Sequence, residues 1–203
     1  MDADSFFVYN GCSGNKEAFM ELRDHNGLTE REFLAAYKQK DYPHPYLTAD
    51  LVLLSKERDR VLLIRRKGHP FLGKWAMPGG FVNPDESAFD AALRELREET
   101  GVHGLDERAI AEIGLFSKPG RDPRGWIVSD AFVSLVDPSA VQAHAGDDAA
   151  DARWFAIRTA PDGTLTLSDG SLSLALSDLA FDHAEMLTRA LRLARSGIRR
   201  EEP

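Results

Sequence analysis

Three glutamates, Glu95, Glu98 and Glu99, stand at positions i, i+3 and i+4 in the run Arg94-Glu-Leu-Arg-Glu-Glu-Thr-Gly-Val102. On a helix, that spacing puts all three on one face. Like charges packed so closely oppose the helix unless something neutralises them. A hard divalent cation does so most simply, because sites rich in oxygen donors suit Mg²⁺ or Mn²⁺. The turn Pro78-Gly79-Gly80 comes shortly before, and glycine lets backbone approach an ion or a phosphate with no Cβ in the way. The chemistry expected is metal-assisted attack on a phosphate-containing substrate.

A helix has to carry these carboxylates. At about 100° per residue, the glutamates share an arc with Ala88, Ala91 and Ala92 along or beside it, while Phe89, Leu93 and Leu96 form a second, greasy stripe. Asn83 or Asp85 is expected to cap the start, with Pro84 at the first helical position. Gly101 suits the left-handed position just past the end.

The order Gly80, five residues, Glu86, seven residues, Arg94-Glu95-Leu96-x-Glu98-Glu99-x-Gly101-Val102 resembles the Nudix hydrolase signature with no departure. The resemblance covers about residues 44 to 196. It implies an α/β fold, the Nudix-type α/β/α sandwich with a mixed β-sheet. It also implies that Glu95, Glu98 and Glu99 bind Mg²⁺ (Mn²⁺ as the alternative), helped by a backbone carbonyl of the turn, that of Gly79. Glu86 and Arg94 would form an internal ion pair fixing the loop against the helix. No covalent enzyme intermediate is needed.

Composition sets the outer bounds. The chain has 203 residues, 43% hydrophobic and 29% charged, which suits one α/β domain with additions at its ends. Its net charge of −8 argues against a broad nucleic-acid or membrane footprint. An anionic substrate then calls for metal ions and a few local arginines. Cys12 is the single cysteine, so an intrachain disulfide is impossible and a reducing cytoplasm is expected. The start Met-Asp-Ala-Asp has no basic segment before an apolar run and reads as no secretory signal. No apolar stretch is long enough to cross a bilayer.

Residues 1–43 read as an N-terminal extension with one helix, and 44–203 as the Nudix domain with a C-terminal helix. Thr29-Glu-Arg-Glu32 is a capping box opening a helix over 29–40, with Phe33, Leu34 and Tyr37 as its apolar face. Strands are expected over 47–54, 61–65, 109–116, 126–136 and 152–157, and a hairpin over 165–168 and 172–176 across Asp169-Gly170. An acidic loop over 146–151 precedes the fifth strand. Asp182 is expected to cap a last helix running to about 195, with Glu185 completing a capping box and Phe181 stapled onto Met186.

Residues outside the signature bear on the substrate. Gly120-Arg-Asp-Pro-Arg-Gly-Trp126 resembles a segment of ADP-ribose pyrophosphatases and related NAD-metabolism Nudix domains, and the segment 179–185 is similar to the closing helix of that group. Pro119 lies about where those enzymes carry a proline. The resemblance implies Mg²⁺-dependent cleavage of ADP-ribose to AMP and ribose 5-phosphate. Arg121 and Arg124 are the candidates to clamp phosphate oxygens, and Trp126 to stack on adenine. Of Arg65 and Arg66, adjacent at a strand end, one faces the site; Arg66 is the candidate. Asp148 is the preferred catalytic base, with Asp147 and Asp151 close by. His69, His103 and His183 read as loop, surface and helix-start residues. A homodimer is expected from the family habit. The alternatives are a Nudix hydrolase for another nucleoside diphosphate derivative or oxidised nucleotide, and a non-catalytic ADP-ribose-sensing regulator.

Overall fold

The computed structural model describes residues 22–37, 42–141 and 149–197. The chain divides into two compact units, Met1–Pro43 and His44–Pro203. In the first, the expected capping box forms: the Thr29 N–H donates to Glu32 at 2.9 Å, and the Glu32 N–H donates to the Thr29 hydroxyl at 3.3 Å. Helix α1 spans Glu30–Tyr37; the rest of the expected helix lies outside the described residues. The Phe33, Tyr37 and Tyr42 rings stack in succession, 5.7 Å and 5.3 Å apart.

The second unit holds a mixed sheet built from β1 (Tyr46–Ser55), β2 (Arg60–Arg66), β3 (Trp75–Ala76), β4 (Gly79–Phe81), β5 (Ile110–Phe116), β6 (Ile127–Val136), β7 (Ala149–Thr159), β8 (Leu165–Ser168) and β9 (Ser173–Ala175). The strand order is β5-β6-β1-β2-β7-β8-β9, with β3 paired to β2 and β4 to β1. Only the β1–β6 pair is parallel among the described strands; the others are antiparallel. Leu51, Val52, Leu53 and Leu54 of β1 are all buried, because each face of the sheet is covered. Leu51 and Leu53 share a core with Ala91, Ala92 and Leu96 of α2 (Ala88–Thr100). Val52 and Leu54 share another with Met186, Leu187 and Leu191 of α3 (His183–Ser196). That alternation makes the α/β/α sandwich.

The cap of α2 is Ser87, whose hydroxyl accepts from the Asp90 N–H at 3.1 Å, rather than Asn83 or Asp85. Asn83 instead donates its backbone and side-chain N–H groups to Glu86, both at 2.8 Å, so that stretch is spent on a turn. The alanine stripe of α2 faces the sheet, with Phe89 and Leu93 packed at its margin; small side chains let helix and sheet approach closely. Gly101 does adopt the left-handed conformation, φ 71°, and returns its N–H to Arg97. Strand β7 begins at Ala149, three residues earlier than expected, and takes Asp151 out of the acidic loop. At α3, Asp182 makes no capping hydrogen bond. Glu185 pairs with Arg189, and Phe181 packs edge-on against Phe71 in a different cluster from Met186.

Candidate active site

Strand β4 brings the glycine turn against α2. A Cβ on Gly79 would collide with the Ala49 carbonyl and the Asp50 carboxylate, and one on Gly80 with the Glu95 carboxylate. Backbone therefore meets acid with nothing between. The Gly79 N–H donates to Glu99 at 3.0 Å. Glu99 is buried, and that burial pushes its carboxyl up to about 8; Glu95 and Asp50 push the same way, against the Gly79 N–H.

Arg94 ties this edge together. It holds Glu86 at 2.6 and 3.0 Å, as expected, and also reaches the Phe81 carbonyl at 3.0 Å, Glu95 at 2.7 Å and Glu98 at 3.1 Å. The Arg94 hydrogen bonds, with those of Asn83, bring the Glu86 carboxyl down to about 2. Among the described residues, no three His, Cys, Asp or Glu side chains converge on one point as they stand; Arg94 engages two of the three box glutamates. The donor set nonetheless fits a hard cation. It is all oxygen, and Glu99, withdrawn from water beside two further carboxylates, needs a positive charge to ionise.

Beyond Gly79 and Gly80 opens a cleft of about 420 Å³, solvent-continuous space included, on the α3 side of the sheet. Arg66, Arg121 and Arg124 all line it. Arg66 donates to the Pro70 carbonyl at 2.8 Å and lies 4.9 Å from the Phe181 ring centre. Its neighbour Arg65 turns away to the Gly73 carbonyl. Arg124 grips Asp122 through two nitrogens, at 2.6 and 3.0 Å, and lies 4.9 Å from the Phe81 ring and 5.5 Å from the Phe181 ring. Arg121 differs from expectation. Only 4% of its side chain is exposed, and its guanidinium is committed to Asp182 at 2.6 and 2.8 Å. It is a wall ion pair, with the intended helix cap as its counter-charge.

Trp126 is 58% exposed and lies outside the cleft lining, whereas Phe81, 42% exposed, belongs to it. Asp147 and Asp148 lie outside the described residues. Asp151 pairs with Arg153 at 2.5 Å, away from the cleft lining. The sequence reading left out Asp50 and took His183 for a helix-start residue only. Both are buried in the cleft floor. Burial pulls the His183 imidazole below its ordinary range, with Asp50 opposing. Asp50 had a signal: it is a lone charge inside the apolar run of β1.

A model of the NUDIX domain matches residues 45–175. The chain belongs to the Nudix hydrolase family. Within that family, it is 34% identical over 155 residues to an ADP-ribose pyrophosphatase of Methanocaldococcus jannaschii, covering 76% of this chain and 78% of that one. It is also 34% identical over 169 residues to the ADPR responsive transcriptional repressor NtrR of Acinetobacter baylyi, covering 81% of this chain but 60% of the repressor. A crystal structure of a MutT/nudix family protein from Enterococcus faecalis superposes with a TM-score of 0.69 at 41% identity, over 83% of this chain and 70% of that one. This Nudix chain is thus a hydrolase by family. No helix among its described residues is long and apolar enough to cross a membrane.

Proposed function

We propose that the chain hydrolyses the diphosphate bond of ADP-ribose, with Mg²⁺, to AMP and ribose 5-phosphate. The observation that carries this reading is the cleft itself. Two arginines with aromatic faces stand in it, and its floor is continuous through Gly80 with Glu95 and through Gly79 with Glu99. Similarity to an ADP-ribose pyrophosphatase supports the substrate.

Glu95, Glu98, Glu99 and the Gly79 carbonyl would hold Mg²⁺, or Mn²⁺ in its place. When bound, the metal polarises phosphate oxygens and acidifies water. For this, Arg94 must give up Glu95 and Glu98 while keeping Glu86. Arg66 and Arg124 present guanidinium donors to the diphosphate. Phe81 offers a ring face for the base at the cleft, with Trp126 as the expected alternative. Arg121 contributes through its pair with Asp182, which holds α3 to the loop before β6. Asp148 remains the base proposed to take the proton from the attacking water.

A second reading, an ADP-ribose sensor, is favoured by the similarity to an ADPR responsive repressor; the intact set of box glutamates favours the hydrolase. The test is a substrate panel of ADP-ribose, NADH, a dinucleoside polyphosphate and an oxidised dGTP, each with and without EDTA. Fast, EDTA-sensitive AMP release from ADP-ribose is expected. Hydrolysis of another member alone would discard the substrate and keep the chemistry. Binding of ADP-ribose with no turnover of any member would establish the sensor.

A further inference from the structure

The two backbone N–H groups that flank Pro78, those of Met77 and Gly79, each have a side-chain partner. Residues 179–180 run beside β3, where the Ala180 N–H donates to the Trp75 carbonyl at 2.8 Å and Leu179 bridges Trp75 in parallel. The chain then coils into α3, and that backbone pairing stops. The next donor along, the Met77 N–H, is met instead by a side chain: the buried His183 accepts it on Nδ1 at 2.8 Å. Pro78 has no N–H, and the Gly79 N–H goes to Glu99.

Because Nδ1 accepts, it carries no proton, and the neutral ring bears its proton on Nε2. That nitrogen faces Asp50 Oδ1 at 3.7 Å, too long for a direct hydrogen bond but close enough to orient the ring. Asp50 takes the Ser129 hydroxyl on its other oxygen and packs against Gly79 so closely that a Cβ there has no room. His183 and Asp50 thus touch the turn from both ends, at Met77 and at Gly79.

We propose that His183 is a positioning residue for metal binding: through the Met77 N–H it fixes the Pro78-Gly79-Gly80 turn, so that the Gly79 carbonyl and Glu99 stand where the cation needs them. This rests on the metal reading given above. A ring that only filled space would need no acceptor at Nδ1, and any apolar side chain would serve. An outer-shell group that orients a metal ligand is worth about tenfold to a hundredfold in metal affinity.

The amide side chains separate these roles. In Asn the amide oxygen falls where Nδ1 stands; in Gln it falls near Nε2 and misses Met77. The experiment is Mn²⁺ titration of the full chain without substrate, followed by the loss of the free-ion electron paramagnetic resonance signal, with thermal melts in EDTA alongside. The wild type, H183N, H183Q and H183L are compared. The expected result is about tenfold or greater weakening for H183Q and H183L, with H183N within about threefold of wild type. Should H183L fail to fold, the H183N against H183Q contrast carries the same test. Equal affinity in H183N and H183Q, or losses that follow melting temperature whatever the amide position, would overturn the positioning role and leave the metal site standing. Absence of Mn²⁺ binding by the wild type would overturn the metal reading and this inference with it.

Discussion

Glu99 shows how burial turns a carboxylate into a demand for a cation. Its carboxyl stands at about 8 in the folded chain, against an ordinary 4.5. Between those values the metal-free folded state binds more protons than the unfolded one, so stability falls as pH rises through that window. Denaturation in EDTA from pH 4.5 to pH 8 is expected to show this slope, and E99Q to flatten it. An identical slope in E99Q would place its origin elsewhere. The box glutamates and the Glu86–Arg94 pair were legible in sequence because helical spacing and one recurrent pattern specify them. Asp50 and His183 were not. One sits in a strand and the other at a helix start, 133 positions apart, and only the β1–β4 register and the path of residues 179–183 bring them to the same turn.

The helices divide their termini between capping and tethering. Ser87 caps α2 by accepting from the Asp90 N–H, and its hydroxyl donates to the exposed Asp90 carboxylate at 2.7 Å, so S87A should cost about 1 kcal/mol. Asp182 sits at the equivalent position of α3 but spends its carboxylate on the buried Arg121. D182A would strand that guanidinium, with an expected cost of about 3–5 kcal/mol. Paired urea melts check the difference; a D182A loss no larger than that of S87A would mean Asp182 acts as an ordinary cap. The sequence led to Asp182 as a cap because the cap pattern is local, whereas its real partner is 61 residues away. The longer strands were readable from apolar runs, yet β4 was read only as part of a glycine turn and β3 was not read as a strand. Elements of two and three residues carry no periodicity, and their pairing is fixed by β2 and β1.

Across the whole second unit, the sheet separates two tasks. The α2 side supplies carboxylates and the α3 side supplies the arginine-lined cleft, and β4 joins them through two glycines. A chain of net charge −8 thereby keeps positive groups where an anionic substrate would enter. The sandwich and the carboxylate edge followed from the signature, and the cleft arginines from the segments flanking it; Phe81, Asp122 and Phe181 did not, because they reach the cleft only through tertiary pairing. Metal bound at such a site also stabilises the fold, by about 2.7 kcal/mol at a hundred times its dissociation constant. Melts with and without Mg²⁺ should show that gain in wild type and lose it in E98Q; an equal gain in both would put the ion elsewhere.

The most direct test of the account is AMP release from ADP-ribose by wild type and E98Q side by side in saturating Mg²⁺, with circular dichroism to confirm that both are folded. Turnover by the wild type and a loss of about a hundredfold or more in E98Q are expected. Equal rates from the two proteins would contradict the assignment of the box glutamates as the metal site.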